Sequence, residues 1–226
     1  MSELIDSRRI KEDIKKAYDD VADTYLNWTQ PTHETRLLYL ETMLRSFDAA
    51  KEMSILELGC GAGVPCTQLL ASRKNTSVTA NDISEAQIAL AKERLPQSVN
   101  LLQGDMMELK FDQKQFDAVL AMYSIFHLPR DEQTVILHRI FDWLKPGGQL
   151  LANFSETEFA SSSNESWLGG TKGAMHWSGW GRDETKRLLE EIGFEVKIDE
   201  VAVDTEEDNG VSRSVPFHWI LAKKCG

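Results

Sequence analysis

Glu57 stands two residues ahead of three glycines at spacing two, Gly59, Gly61 and Gly63, at the end of the apolar run in ILELGCGAG. Glycine tolerates positive φ and lets a ligand lie against bare backbone, so this pattern describes a tight binding turn. The dinucleotide fingerprint G-x-G-x-x-G fits neither register. Starting at Gly59 it meets Val64, and starting at Gly61 it meets Cys66. A carboxylate beside a compact turn instead suits a ligand with a positively charged amino group. Asp82 ends the next apolar run, where an acidic side chain in a doubly wound sheet accepts hydrogen bonds from ribose hydroxyls. Asp105 ends the third run in QGDM, placed to accept from an adenine amino group while the Met106 N–H addresses a ring nitrogen.

Further along, His127 in SIFHLP follows the fourth run and faces the same crevice. Imidazole titrates near neutrality, so His127 is the first candidate for a general base, or else it shapes the loop or contacts substrate. His176, beside Trp177 in MHWSGW, is the second candidate base and a substrate contact, with Tyr39 and Tyr123 behind it; His138 lies mid-helix and reads as structural. Trp167, Trp177 and Trp180 crowd a Ser- and Gly-rich stretch, either as an aromatic wall for a flat or cationic substrate or as cover for a sheet edge.

These residues need a scaffold. Ile10, Ile14, Tyr18, Val21 and Tyr25 are spaced for one amphipathic helix, and Leu37 to Phe47 for a second after Pro31. From residue 53 short apolar runs alternate with longer amphipathic segments, which predicts an α/β fold: a doubly wound, Rossmann-like, mostly parallel seven-stranded sheet. Ser84 and Gln87 read as a capping box. The runs FEVKIDEVAV and PFHWILAKK predict an antiparallel hairpin at one sheet edge, with the acidic run Asp204 to Asp208 as a solvated loop between them. The expected division is a helical cap over residues 1–50 and a core over 51–226, with a substrate-side insert at about 155–181.

Composition narrows the function. The 226 residues are 42% hydrophobic and 27% charged, and the net charge of −11 argues against binding nucleic acid through its phosphates. Three cysteines without ligand spacing point to reduced thiols and no metal. The opening segment has no apolar leader and the chain no membrane-length apolar run, so a cytoplasmic protein is expected.

ILELGCGAG, VTANDIS, LLQGDM, FDAVLAMYSIFHL and LKPGGQLL together resemble the successive motifs of class I S-adenosylmethionine-dependent methyltransferases. The resemblance is greatest to the ubiquinone/menaquinone-type small-molecule group, whose entry helix pattern is matched by Tyr18, Asp19, Ala22 and Tyr25. It covers residues 15 to 155 and implies a place for each motif residue. Glu57 and the glycine turn would surround the methionine part, Asp82 would hold the ribose, and Ile83 would lie on the adenine face. Asp105 and Met106 would address the adenine edge, Met122 would lend its carbonyl to the methionine amine, and Tyr18 and Tyr25 would close the lid. The implied activity is methyl transfer to an O, N, S or C nucleophile of a small molecule, by a monomer or homodimer, with S-adenosylhomocysteine as product. AMYS stands where base-methylating relatives carry an Asn/Asp-Pro-Pro-Tyr tetrapeptide, which withdraws support from DNA as acceptor. An NAD(P)-binding oxidoreductase and a non-catalytic cofactor-binding regulator are the alternatives.

Overall fold

The computed structural model describes residues 7–208 and 210–225. The first six residues of the expected cap and opening segment lie outside the described residues, as do Asn209 and Gly226 of the expected core.

Three helices precede the sheet: α1 (Ser7–Asp20), α2 (Ala22–Trp28) and α3 (His33–Leu44). The first predicted helix is therefore two, parted at Val21, whose φ of −108° and ψ of 15° lie outside helical geometry. The alternating region follows as β1 (Met53–Leu58), α4 (Cys66–Ser72), β2 (Thr76–Asp82), α5 (Glu85–Arg94), β3 (Asn100–Gln103), β4 (Phe116–Ala121), α6 (Arg130–Trp143) and β5 (Leu144–Ser155). A small antiparallel pair, β6 (Glu158–Asn164) and β7 (Met175–Trp180), leads to α7 (Arg182–Ile192) and the hairpin β8 (Phe194–Asp208) and β9 (Val211–Lys224).

The seven strands of the main sheet run in the order β3-β2-β1-β4-β5-β9-β8. The first five are parallel and β9 is antiparallel to both its neighbours. The inner strands read as nearly continuous apolar runs because helices cover both faces. Leu40, Met43, Leu70, Ile88 and Ala91 of α3, α4 and α5 pack on one face; Ile136, Leu137, Ile140 and Leu189 of α6 and α7 pack on the other. The order reverses at β1/β4, so loops after β1, β2 and β4 splay apart at one end of the sheet and leave a crevice.

Two sequence expectations are corrected here. The acidic run is not a solvated loop: β8 continues through it to Asp208, which pairs with Val211. Period-two geometry puts Asp204, Glu206 and Asp208 on one strand face. There Asp204 is buried and accepts from the Tyr123 hydroxyl at 2.6 Å, and Asp208 accepts from the Leu168 N–H at 2.9 Å. The capping box is also only half made. Ser84 Oγ accepts from the Gln87 N–H at 3.1 Å, but the Ser84 N–H goes to Asp82 Oδ1 at 2.9 Å. The Gln87 amide is left buried and without a partner among the described residues.

Among the described residues no helix is long and apolar enough to cross a membrane.

Candidate functional site

The crevice is a cleft of about 810 Å³ between the ends of β1, β2 and β4 and the helices α1 and α2. Its floor is the glycine turn. The Gly59 and Cys60 N–H groups both donate to the Asn81 carbonyl, at 2.8 and 2.9 Å, tying the turn to β2. The Gly61 N–H donates to Asp82 Oδ2 at 2.8 Å. Asp82 thus braces the turn and the start of α5 at once, with its carboxylate at the cleft wall. Burial, outweighing these backbone donors, raises its pKa to about 6.

Helix α1 closes the cleft by polar contacts that no periodicity reveals. Lys11 pairs with Asp105 at 2.6 Å and with Glu132 at 3.1 Å. Asp19 accepts from Ser84 Oγ at 2.6 Å and from the Ala86 N–H at 3.1 Å, which fastens α1 to the N-terminus of α5. Asp105 Oδ1 caps the short turn at Met106–Glu108 by accepting from the Met107 N–H at 2.9 Å. Both of its oxygens therefore already have partners within the chain.

A second chamber of about 920 Å³ adjoins the first. Tyr18, Tyr25, Tyr123 and His127 line both spaces and form the partition between them. The partition is held in one arrangement. Tyr123 has a φ of +54°, unusual for a residue with a side chain; its N–H donates to Asn153 Oδ1 at 2.6 Å, and the Arg36 guanidinium sits 4.2 Å over its ring. His127 Nδ1 lies 2.7 Å from the His176 carbonyl, which can only accept, so Nδ1 carries the proton. Nε2 is then the acceptor, and the Tyr18 hydroxyl donates to it across 2.9 Å. Burial lowers the His127 pKa to about 4, opposed by the His176 carbonyl, and pushes the Tyr18 phenol well up. The pair is neutral near pH 7.

A model described as a methyltransferase domain matches residues 55–148, the segment that carries the glycine turn, Asp82, Asp105 and His127. Residues 55–148 are a methyltransferase domain. Sterol 24-C-methyltransferase of Debaryomyces hansenii is 26% identical over 181 residues, 76% of this chain and 46% of that protein. Malonyl-[acyl-carrier protein] O-methyltransferase of Priestia megaterium is 31% identical over 143 residues, 62% of this chain and 50% of that protein. The chain spans about half the length of these curated relatives. The solved DhpI-SAH complex superposes with a TM-score of 0.73 at 20% identity, covering 97% of this chain and 99% of that one. The fold is that of class I S-adenosylmethionine-dependent methyltransferases.

Within this methyltransferase domain and its flanks, the sequence-derived residues divide by position. Tyr18, Tyr25, Gly59, Gly61, Asp82, Ile83, Asp105, Met106 and His127 line the cleft. Glu57, Gly63 and Met122 are not among its lining residues. Glu57 is buried below the turn and accepts from the Thr67 hydroxyl at 2.5 Å; burial lifts its pKa to about 7, with Thr67 and Arg36 pulling the other way. Gly63 backs onto Leu95, and Met122 belongs to the core. Trp167 and Trp177 line the second chamber, whereas Trp180 packs under Arg130 at 4.9 Å. His176 lines neither space. Its ring nitrogen faces Asp13 at 4.0 Å, and it serves the site through its backbone carbonyl.

Sequence reasoning missed Arg36, Gln87 and Ser124, which all line the cleft. Arg36 lies among leucines on α3 with no motif around it. Gln87 could have been flagged by its place in the first turn of α5, five residues after Asp82, had it not been assigned to the capping box.

Proposed function

We propose that this chain is an S-adenosylmethionine-dependent methyltransferase that moves a methyl group to a nucleophile of a small molecule by in-line displacement. One observation carries the reading: polar atoms of Asn81 (Oδ1), Gln87 (both amide atoms) and Ser124 (Oγ) are buried at the cleft wall without partners among the described residues. Each such atom costs about 1–3 kcal/mol unless a polar ligand meets it. A compact, hydroxyl- and amine-rich adenosine derivative meets that demand, and the floor of bare glycine backbone admits it.

Asp82 would take the ribose hydroxyls, Ile83 and Met106 would flank the base, and Arg36 would face the amino-acid carboxylate. The bound cofactor supplies an electrophilic methyl group. The chain aligns the acceptor at the partition, excludes water with α1 and α2, and receives a proton. An acceptor X–H that donates to the Tyr18 oxygen can pass its proton there as Tyr18 gives its own to His127 Nε2. The resulting imidazolium keeps its Nδ1–H on the His176 carbonyl. The curated relatives are named for different acceptors, so the names do not choose one for this chain.

Calorimetry tests the reading. S-adenosylmethionine and S-adenosylhomocysteine are expected to bind at micromolar concentration and NAD not at all; binding of NAD alone sinks it. The partition favours catalysis over a purely regulatory role. With an acceptor in hand, Tyr18→Phe and His127→Gln are expected to lower kcat by about 10²–10⁴-fold and to leave affinity for S-adenosylhomocysteine within about threefold. Unchanged kcat in both variants would show that positioning alone suffices.

A further inference from the structure

The second chamber is not neutral in its demands. Nine of its sixteen lining residues are Phe, Tyr or Trp, drawn from α1, α2, the β4 loop, β6, β7, β9 and the turn at Trp167–Gly169. Trp167 is the hub: Tyr18, Tyr25, Trp28 and Trp177 all lie within 6.2 Å of it, centroid to centroid. Walls of this kind favour flat apolar groups, and they attract cations through the negative faces of the rings.

The formally charged side chains that line the chamber are Glu206 and Arg213. They stand opposite each other on β8 and β9, yet no ion pair joins them among the described residues. Arg213 is exposed to water, while Glu206 is half-buried. The Glu206 carboxylate takes no hydrogen bond among the described residues, and its neighbours on the same strand face, Asp204 and Asp208, are already engaged by Tyr123 and by Leu168 and Asn164. Desolvation and the charges of Asp204 and Asp208 raise its pKa to about 7, against the pull of Arg213. A carboxylate withdrawn from water, beside two others and facing aromatic rings, is stabilised by a cationic partner. The tip carrying it is docked: Trp28 Nε1 donates to the Glu207 carbonyl at 2.6 Å, so α2 and the hairpin close one wall together.

Position fixes which ligand Glu206 meets. It lines the second chamber and not the cleft, so it faces an acceptor in that chamber and not the cofactor. We propose that the acceptor has a flat apolar body with a cationic nitrogen at the end remote from the transferred methyl, seated against Glu206. Its nucleophilic X–H is at the other end, beside Tyr18. This rests on the methyltransferase reading.

Three probes that share one phenol and differ in distal charge test the proposal: tyramine, para-ethylphenol and para-hydroxyphenylpropionate. Each is titrated calorimetrically at pH 8 into the full chain loaded with S-adenosylhomocysteine. Tyramine is expected to bind about tenfold tighter than para-ethylphenol, and the anion weakest. Glu206→Gln is expected to bring tyramine to the affinity of para-ethylphenol with S-adenosylhomocysteine binding unchanged, which also reports an intact fold. Equal affinities, preference for the anion, no binding by any probe, or an unaltered preference in Glu206→Gln would each overturn the proposal. If S-adenosylhomocysteine itself does not bind the wild-type chain, the methyltransferase reading beneath it has failed instead.

Discussion

Asp82→Asn is expected to weaken S-adenosylhomocysteine binding by at least about 100-fold, since two hydrogen bonds to a charged acceptor contribute about 1.5–3 kcal/mol each. The pH dependence makes the test specific. Asp82 is pushed up to about 6 by burial. Ribose hydroxyls donating to the carboxylate favour its ionised form, so binding from the acid side releases a proton. Wild-type affinity should therefore climb as pH rises from 5 to 7, by up to about tenfold per unit below the pKa, and then level off.

The apo protein has the opposite sign. The folded pKa lies above the ordinary carboxylate value of 3.8, so the stability Asp82 contributes is fully present below that value and is lost as pH rises through about 6. Relative to Asp82→Asn, the apo wild type should lose on the order of 2 kcal/mol between pH 4 and pH 7. Glu57 is raised to about 7 by burial and in part by the Asp82 charge, so it titrates in the same range and moves down in Asp82→Asn. Comparing denaturant unfolding and calorimetry of the two across pH reports Asp82 together with its coupling to Glu57; an affinity that is flat with pH in the wild type would remove Asp82 from the ligand.

Gly59→Ala and Gly61→Ala, two residues apart in one turn, should fail in different ways. Gly59 has a φ of +74°, and a Cβ there would collide with Ser124 Cβ, an atom fixed to the backbone of the β4 loop. Left-handed geometry costs a non-glycine residue about 1–2 kcal/mol and overpacking about 1–3 more. Gly59→Ala should thus lower unfolding free energy by about 2–5 kcal/mol. Gly61 has a φ of +55°, but a Cβ there would meet nothing nearer than Gln87 Oε1 at 3.6 Å and Tyr25 Cε1 at 3.9 Å. Its methyl group would project into the cleft. Gly61→Ala should cost only the backbone term, about 1–2 kcal/mol, yet reduce S-adenosylhomocysteine affinity by more than about tenfold. Equal loss of stability in the two variants, with ligand binding intact in Gly61→Ala, would move the ligand off the turn.

Which parts of this site could be read in advance follows from how local their physics is. The parallel strands were legible because burial on both faces leaves a continuous apolar run, as in MSILEL and FDAVLA. The glycine turn was legible because positive φ restricts residue type at single positions. The places of Asp82, at the end of β2, and His127, in the loop after β4, at the cleft followed from their positions at strand ends. The acidic run was misread because net charge suggested solvent, while its alternation concealed a strand whose inner face is Asp204, Glu206 and Asp208. His176 was given a role for its side chain, and the site uses its carbonyl. A backbone group has no signature in a sequence.

Local patterning thus determined the order of elements, the glycine turn and the end of the sheet where the cleft opens, since propensity, burial and φ act within a few residues. Tertiary structure decided the rest. Lys11 reaches Asp105 across 94 positions, Tyr18 reaches His127 across 109, and Trp28 reaches Glu207 across 179. Contacts that close a lid, orient an imidazole and wall off a second chamber depend on how helices and a hairpin pack in space, and chain separation carries no trace of that distance.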